Sequence, residues 1–545
     1  MYLLSSGHNK SGLSAMGREP DMLPDTRANL RKSSTSGNGR IMQDFDHEQT
    51  RVAVVGGGAS GVTTFIALVR YRAARTIFII EPGPVGRATG FCTSDDDLIC
   101  NTSVDVMSVI PENHHDFLDY LKSQNYSVSI TSYVPRSWFN AYLADRYQRY
   151  REIAQQNGIE VVHLPCRFQS LRVEGHRRYQ LRLAGHASEP LIVSDVIFCT
   201  GYGSPRIPDL LAPHQNNQTF ISSPYPEEVM LAKTGRKSRV LVVGSKLSGV
   251  DAAILLCREG HQVTMLSPSG RLPAVRTCCV RKEHVMWDPN QVAALLRESM
   301  FQDPSSLTNY LFKHVVHALA KHSALPWKRQ FSCATSPEER LLEETAIAER
   351  GESHWQDLIV TFMDALNTVY ARNREELLGR LPASFLTTLY PYFAAIALPN
   401  AQKLSRYVDT GVLKIKKGTM VRVVPPHRND PWLVDWRDGP QPFDAIVACS
   451  GFSNGNYIFR AGELTSDVGR YEQHEIVDVA PDMSADHPRF ERKESIWFVG
   501  VPAHLRLIVP NAFFIIAPRA VQVVTNMLSL ARPESREWQS EATML

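Results

Sequence analysis

Apolar residues along this chain gather into short runs separated by glycine turns and by stretches with helical spacing. Val52–Val55 is a continuous apolar run suited to a strand buried on both faces. From Ser60 to Tyr71 the period changes to that of a helix, with Val62, Phe65, Ile66 and Val69 on one side. Thr76–Ile80 is the next strand. Helices are predicted to begin in Pro111–Leu121 and at Pro135–Leu143 (PRSWFNAYL), and Gly158–His163 reads as a strand. Arg178–Leu183 and Leu191–Val193 suggest a small antiparallel excursion, after which Asp195–Gly201 (DVIFCTG) returns as a strand ending in a glycine turn.

The pattern then repeats. Arg239–Ala252 (RVLVVGSKLSGVDA) is again strand, turn and helix, Gln262–Leu266 is the following strand, and Phe443–Gly451 (FDAIVACSG) echoes the earlier return. Between the two halves of this second unit, Lys282–Leu398 carries long helical patterns such as Trp355–Tyr370 and Ala371–Gly379 and reads as a largely helical insertion. Aromatics there, at Phe385, Tyr390, Tyr392 and Phe393, are expected to pack helices. Short strands resume at Val412–Ile415, Thr419–Val424 and Trp432–Trp436, and the chain closes with a strand at Ile496–Gly500 and an apolar helix at Asn511–Met527. This alternation predicts an α/β fold with two dinucleotide-binding, Rossmann-like domains and a helical insertion. The expected divisions are a flexible extension at 1–48, a first domain at 49–220 plus 440–530, a second at 221–439 containing the insertion at 282–398, and a polar tail at 531–545.

The turn at VAVVGGGASG carries the first chemistry. Gly56 permits a tight turn, Gly58 leaves room for a diphosphate against the backbone, Gly61 lets the helix approach the sheet, and Ser60 with its neighbouring amides can donate to phosphate. Glu81 ends the second strand, 20 residues beyond Gly61, where an acid can hold a ribose diol. Arg87, in a glycine-spaced loop at 83–90, can reach phosphate or ribose. Asn101 and Thr102 fit either hydrogen bonding to a flat ring edge or a loop cap, and Arg136 fits either a structural role or a place along the cofactor. In the second turn Gly244 and Gly249 hold the first and third glycine positions, while Lys246 replaces the middle one. The strand after it ends in Ser267 rather than an acid, with Arg271 just beyond, which favours NADPH over NADH because nothing repels a 2′-phosphate and a guanidinium attracts it.

Composition adds exclusions. In 545 residues, 59 Lys and Arg nearly balance 56 Asp and Glu, so no electrostatic footprint for nucleic acid is present. Nine cysteines are scattered without a CxxC pair, which fits a reducing, cytoplasmic setting. His284, His314 and His317 lack convergent acid or cysteine partners, so no metal site is expected. No secretory segment or uninterrupted apolar span is visible, and no membrane association is expected.

The paired glycine turns, the TG and SG strand exits and the terminal FVG strand resemble the two-dinucleotide-domain flavoproteins. VAVVGGGASGV with Glu81, the GR…TG loop at 86–90, ICNTSVDVMS at 99–108 and PRSWFNAYL at 135–143 more closely resemble a bacterial FAD/NAD(P)-binding family. That family is related to flavin-dependent N-hydroxylases of ornithine, lysine and other small amines, and has a urate hydroxylase branch. The resemblance runs from Arg51 to Leu530. It implies that Gly56, Gly58, Ser60 and Gly61 hold the FAD diphosphate and Glu81 its ribose, with Arg87 and Asn101 along the cofactor and Asn101–Thr102 toward the flavin end. Gly244, Ser245, Ser248 and Gly249 would face the nicotinamide cofactor, with Arg271 at a 2′-phosphate and Lys246 marking the departure from the pattern.

The implied reaction is hydride transfer from NADPH to FAD, then oxygen activation as a C4a-hydroperoxide and transfer of oxygen to a small substrate, expected to be an amino acid or amine nitrogen. The implied partners are that substrate and O2; homo-oligomerisation stays open. No catalytic acid or base is assigned, and Arg276 is a candidate for a substrate carboxylate. A flavin reductase or dehydrogenase without oxygen insertion, and a cofactor-bound scaffold without activity, are the alternatives.

Overall fold

The computed structural model describes residues 50–185, 189–281, 287–299, 301–377, 389–427, 430–436, 439–467 and 473–531. The expected extension at 1–48, the tail beyond 531, His284 and Phe385 lie outside these residues.

Two five-stranded parallel sheets organise the chain. The first runs Ile496–Phe498, Asp195–Phe198, Arg51–Val55, Thr76–Ile80, Glu160–Leu164. The second runs Leu413–Lys417, Gln262–Ser267, Arg239–Val243, Ala445–Ala448, Phe220–Ile221. The runs that read as continuous apolar strands are buried because helices cover these sheets. In each sheet the strand before the glycine turn lies between its sequence successor and a much later return strand, so the turn sits at the reversal of strand order. In open parallel sheets this reversal opens a crevice at the carboxyl ends of the strands.

Helix Ala59–Arg70 follows the first turn and is buried along most of its length, Val62, Phe65, Ile66 and Val69 included. Helices Arg136–Gln156 and Phe513–Leu530 pack against it, with Phe65 edge-on to Tyr147 at 5.3 Å. Phe513–Leu530 is long and apolar enough to cross a membrane by length and composition. Its burial of Phe513, Ile516, Val523 and Met527 in the first core accounts for that apolar character.

A third, antiparallel sheet was half visible in the sequence. Its order is Asn456–Arg460, Glu463–Asp467, Arg167–Gly175, Arg178–Ala184, Leu191–Val193. Strand Arg167–Gly175 extends the expected excursion, and the hairpin at 456–467 joins it from far along the chain. Phe220–Ile221 and Ala445–Ala448 both belong to the second sheet, so the chain changes sheet before 220 and after 448; the expected boundaries at 220 and 440 do not coincide with these changes. The insertion is largely helical, with Pro289–Ser299, Pro304–His322, Pro337–Glu349 and Trp355–Leu377 as its main helices. The two expected patterns at 355–379 form one helix through Leu377, broken locally at Asn373 (φ −119°, ψ 24°).

Charges fasten the two dinucleotide units at their seam. Arg136, at the start of its helix, donates from Nη2 to Asp251 Oδ2 at 2.7 Å and from Nε to the Ile99 carbonyl at 3.1 Å. Asp251 lies in Leu247–Arg258, the helix that follows the second glycine turn, and also accepts the Tyr225 hydroxyl. Arg136 therefore has a structural role at the seam. At the other end of that helix, Arg258 binds Asp95 at 2.7 Å and Asp97 at 2.8 Å, and Lys403 binds Asp97. Truncating one member of a buried pair leaves an uncompensated charge, so Asp251→Ala should destabilise the protein by about 3–5 kcal/mol. Replacing both charges by apolar groups, with Arg136→Met and Asp251→Leu together, should recover most of that loss in chemical unfolding.

Candidate functional site

The first glycine turn is shaped by what a side chain would strike. Gly56 has φ +107°, and a Cβ on it would lie 2.7 Å from the Cys199 carbonyl oxygen. One on Gly61 would lie 1.9 Å from the Gly56 carbonyl oxygen. At Gly58, the first residue before the helix, a Cβ would meet nothing closer than Ala88 at 3.6 Å, so the middle position is open. Gly500 (φ +78°) approaches the same helix start: a Cβ there would fall 2.2 Å from Ser60 Oγ. In the sequence Gly500 is marked only as the glycine that ends the last apolar strand.

Glu81 stands beside this turn. Its Oε2 accepts the Gly57 amide at 2.8 Å and its Oε1 the Gly83 amide at 3.2 Å, which fixes the carboxylate at the end of the second strand. Loop 83–90 folds over the turn, with the Ala88 amide donating to Asn140 Oδ1 at 2.9 Å. Arg87 is exposed and directs its Nε to Cys92 Sγ at 2.8 Å, so in this arrangement its guanidinium is turned along its own loop. Asn101 and Thr102 are half-buried. The Asn101 carbonyl accepts Arg276, the Ser103 hydroxyl accepts the Cys279 amide at 2.8 Å, and Asp105 accepts the Arg281 amide at 2.6 Å. This segment thus joins the first unit to residues 276–281. Arg276 is fully buried; among the described residues its Nε has no hydrogen-bond partner and no carboxylate forms an ion pair with it.

The second turn repeats the construction of the first. Gly244 has φ +123°, its Cβ would lie 2.3 Å from the Cys449 carbonyl oxygen, and one on Gly249 would lie 2.3 Å from that of Gly244. The backbone bonds match as well: Gly56 and Gly244 donate to Ile80 and Leu266 at 2.9 Å, and Cys199 and Cys449 donate to Val55 and Val243 at 2.8 Å. The furnishing differs. Ser245 turns its hydroxyl inward to Ser267 Oγ at 2.8 Å and the Arg271 carbonyl at 2.8 Å, bracing the loop rather than facing the crevice. Ser248 is half-buried in the first turn of the helix. Lys246 is exposed, with Nζ 3.9 Å from the centre of the Tyr390 ring.

Beyond the following strand, Arg271 lies near Arg340, a residue that sequence spacing could not associate with it. Partial desolvation, and next Arg340, lower the Arg271 pKa. Arg340 is held by Glu344 at 2.7 Å on its own helix, and Glu344, kept high by burial, also accepts the Val275 amide at 3.2 Å. Lys417 flanks the same loop, its Cβ 2.7 Å from where a Cβ on Gly270 would stand. The end of this strand therefore presents the exposed Arg271 where the corresponding place in the first unit holds Glu81.

These features fit the expected groups. The first turn offers an open middle glycine, backbone donors and a fixed carboxylate suited to a ribose diol. The second offers the same backbone cradle with a basic end suited to a 2′-phosphate. A cavity of about 450 Å³ lined by Asp95, Asp97, Glu227 and Arg258 touches neither turn, and its Asp95 and Asp97 are paired with Arg258. Among the described residues, no group of three or more His, Cys, Asp or Glu is arranged to hold a metal ion.

Residues 53–203 match the FAD-NAD(P)-binding family, so the first unit contains an FAD/NAD(P)-binding domain. No curated protein matches the sequence significantly. Two structures of ornithine hydroxylase (PvdA) from Pseudomonas aeruginosa, one in its reduced form, are similar at TM-scores of 0.51 and 0.50, with 12% identity over 89% of this chain and 100% of theirs. An L-lysine 6-monooxygenase from Pseudomonas syringae aligns over 89% of this chain and 100% of its own, with 14% identity and a TM-score of 0.49. At this identity the likeness to the ornithine hydroxylase structures is one of fold.

Two glycines with opposite surroundings separate folding from binding. Gly61→Ala places a methyl group against a carbonyl oxygen and should destabilise the chain by about 3 kcal/mol or more. Gly58→Ala should leave thermal unfolding of the flavin-free protein nearly unchanged while weakening FAD, measured by quenching of flavin fluorescence.

Proposed function

We propose that this chain is a flavin-dependent monooxygenase that uses FAD, NADPH and O2 to hydroxylate a small substrate, with the nitrogen of an amino acid or amine as the position oxidised. The observation that carries the reading is the pair of equivalent glycine turns furnished with opposite charge, Glu81 at one and Arg271 at the other. An acid suits the ribose of FAD and repels a 2′-phosphate; the Arg271 guanidinium, which forms no ion pair among the described residues, suits the 2′-phosphate of NADPH.

Gly56, Gly58, Ser60 and Gly61 would bind the FAD diphosphate, and Glu81 its ribose. Asn101 and Thr102, anchored at the seam through the contacts of 101–105, would lie toward the flavin ring. Gly244, Ser248 and Gly249 would receive the nicotinamide nucleotide, with Ser245 bracing the Arg271 loop and Arg271 contacting the 2′-phosphate. When bound, FAD supplies the capacity to take a hydride and, once reduced, to activate oxygen. The protein's part is to hold both nucleotides at one seam and to keep water from the reacting groups. Arg276 supports a substrate that carries a carboxylate, since that group would neutralise a buried guanidinium with no acid paired to it among the described residues.

A flavin reductase or dehydrogenase without oxygen insertion, a disulfide being one such electron acceptor, is the less favoured alternative. The cysteines beside the two turns, Cys199 and Cys449, are buried, and burial raises both thiols, Cys199 to about 12, which opposes the thiolate needed for exchange.

Anaerobic mixing with NADPH or NADH, followed by oxygen and a panel of amines, tests the assignment. Flavin reduction should be faster with NADPH, and oxygen uptake should rise with one amine and match its hydroxylated product. Reduction without an oxygenated product would support the dehydrogenase, and no reduction by either nucleotide would leave the scaffold. Arg271→Gln should raise KM for NADPH by roughly tenfold or more, the scale of one charge-assisted contact, and leave that for NADH unchanged.

A further inference from the structure

Lys246 occupies the place where the repeated turn would ordinarily have its middle glycine. Three observations say how it lies. Its backbone is extended, φ −87° and ψ −171°, as the residue just before helix Leu247–Arg258, so the side chain is accommodated without strain. Its ammonium rests over the face of Tyr390, 3.9 Å from the ring centre, at the exposed mouth of the turn. Among the described residues no carboxylate forms an ion pair with it. A cation held on an aromatic face keeps its charge available to an anion in a way that a cation in a salt bridge does not.

A second cation comes from the other unit. After leaving the first sheet, the chain at 203–206 runs beside the exit of the second sheet. Gly203 donates to the Ser453 carbonyl at 2.8 Å, and Arg206 donates its amide to the Gly451 carbonyl at 2.9 Å. Gly451 is two residues past Cys449, whose carbonyl forms the floor under Gly244, so this ladder sets Arg206 beside the second turn. The Arg206 side chain is exposed, and among the described residues no carboxylate forms an ion pair with it either. Partial desolvation, and then Arg206, lower the Lys246 pKa, as expected of two neighbouring cations with no anion between them.

We infer that Lys246 and Arg206 form a two-sided clamp for the diphosphate of the nicotinamide nucleotide, Lys246 reaching from the second turn and Arg206 from the strap that leaves the first unit. The clamp rests on the nucleotide reading of the second turn and adds a division of labour to it. Lys246 and Arg206 read the diphosphate, while Arg271 reads the 2′-phosphate. A glycine at the middle position lets the diphosphate approach the backbone; here charge replaces close approach, and the nucleotide touches both units.

Calorimetric titration of the FAD-loaded full chain with NADP+, ADP and 2′-AMP separates the two anion sites. Lys246→Gly and Arg206→Gln should each weaken NADP+ and ADP by roughly tenfold, the scale of a charge-assisted hydrogen bond, without changing 2′-AMP. Arg271→Gln should weaken NADP+ and 2′-AMP and leave ADP unchanged. Lys246→Gly is the decisive variant, because it restores the ordinary glycine. If it binds NADP+ as tightly as the parent or more tightly, with FAD content unchanged, Lys246 is a tolerated obstruction and the clamp is wrong. Loss of FAD from Lys246→Gly would also count against it, since the residue would then be supporting the fold; Arg206→Gln, at an exposed side chain, must still weaken ADP for the clamp to stand. A parent chain that holds FAD but binds neither NADP+ nor ADP would instead overturn the nucleotide reading of the second turn itself.

Discussion

The missing side chain at Gly56, repeated at Gly244, is the constraint on which both nucleotide units depend. Each glycine lies against the carbonyl of a cysteine that ends the return strand, at a separation that leaves no room for a Cβ. The third glycine of each turn then lies against the carbonyl of the first. In each unit these contacts bring two chain segments, distant in sequence, together at the carboxyl edge of one sheet. The positive φ at both turns requires a residue without a Cβ, and the steric contact requires the same thing independently. The crevice above each turn follows from the strand reversal at that edge, and the backbone donors that line it come from the start of the helix.

With the backbone duplicated, function is divided by side chains. Glu81 is held by two amides at one turn; Arg271, with Arg340 near it, stands at the other. The seam is fastened to the second turn's own helix at both ends, through Asp251 to Arg136 and through Arg258 to Asp95 and Asp97. A bound nicotinamide nucleotide would therefore meet a surface whose orientation toward the first unit is set by ion pairs rather than by a loose linker. The exits of the two sheets pair with one another at 203–206 and 451–453, which adds a backbone tie at the same seam.

Much of this was legible because its causes are local. Strands buried on both faces, such as Arg51–Val55 and Arg239–Val243, appear as unbroken apolar runs, and the glycine spacing that follows them has few structural uses. Strand Gly439–Phe443 was missed because two of its five residues are proline, which suits a strand only where donors are not required. Arg167–Gly175 and the hairpin at 456–467 were missed because they are partly exposed, with polar residues interleaved, and their pairing joins segments almost three hundred residues apart, as in the 2.9 Å contact of Arg172 with Glu463. Arg340 and Arg206 had no signal of their own. Each becomes meaningful through proximity to Arg271 or Lys246, which the fold creates and the spacing does not encode. The structural role of Arg136 depends on a carboxylate, Asp251, that lies 115 residues away in the other unit.

The most direct measurement of the central claim is the number of nucleotides one chain holds at once. Equilibrium dialysis of the FAD-saturated protein against NADP+ should find one FAD and one NADP+ per chain, with FAD retained as NADP+ fills its site. Displacement of FAD by NADP+, or binding of a single nucleotide in total, would contradict two turns of equal construction serving two separate ligands.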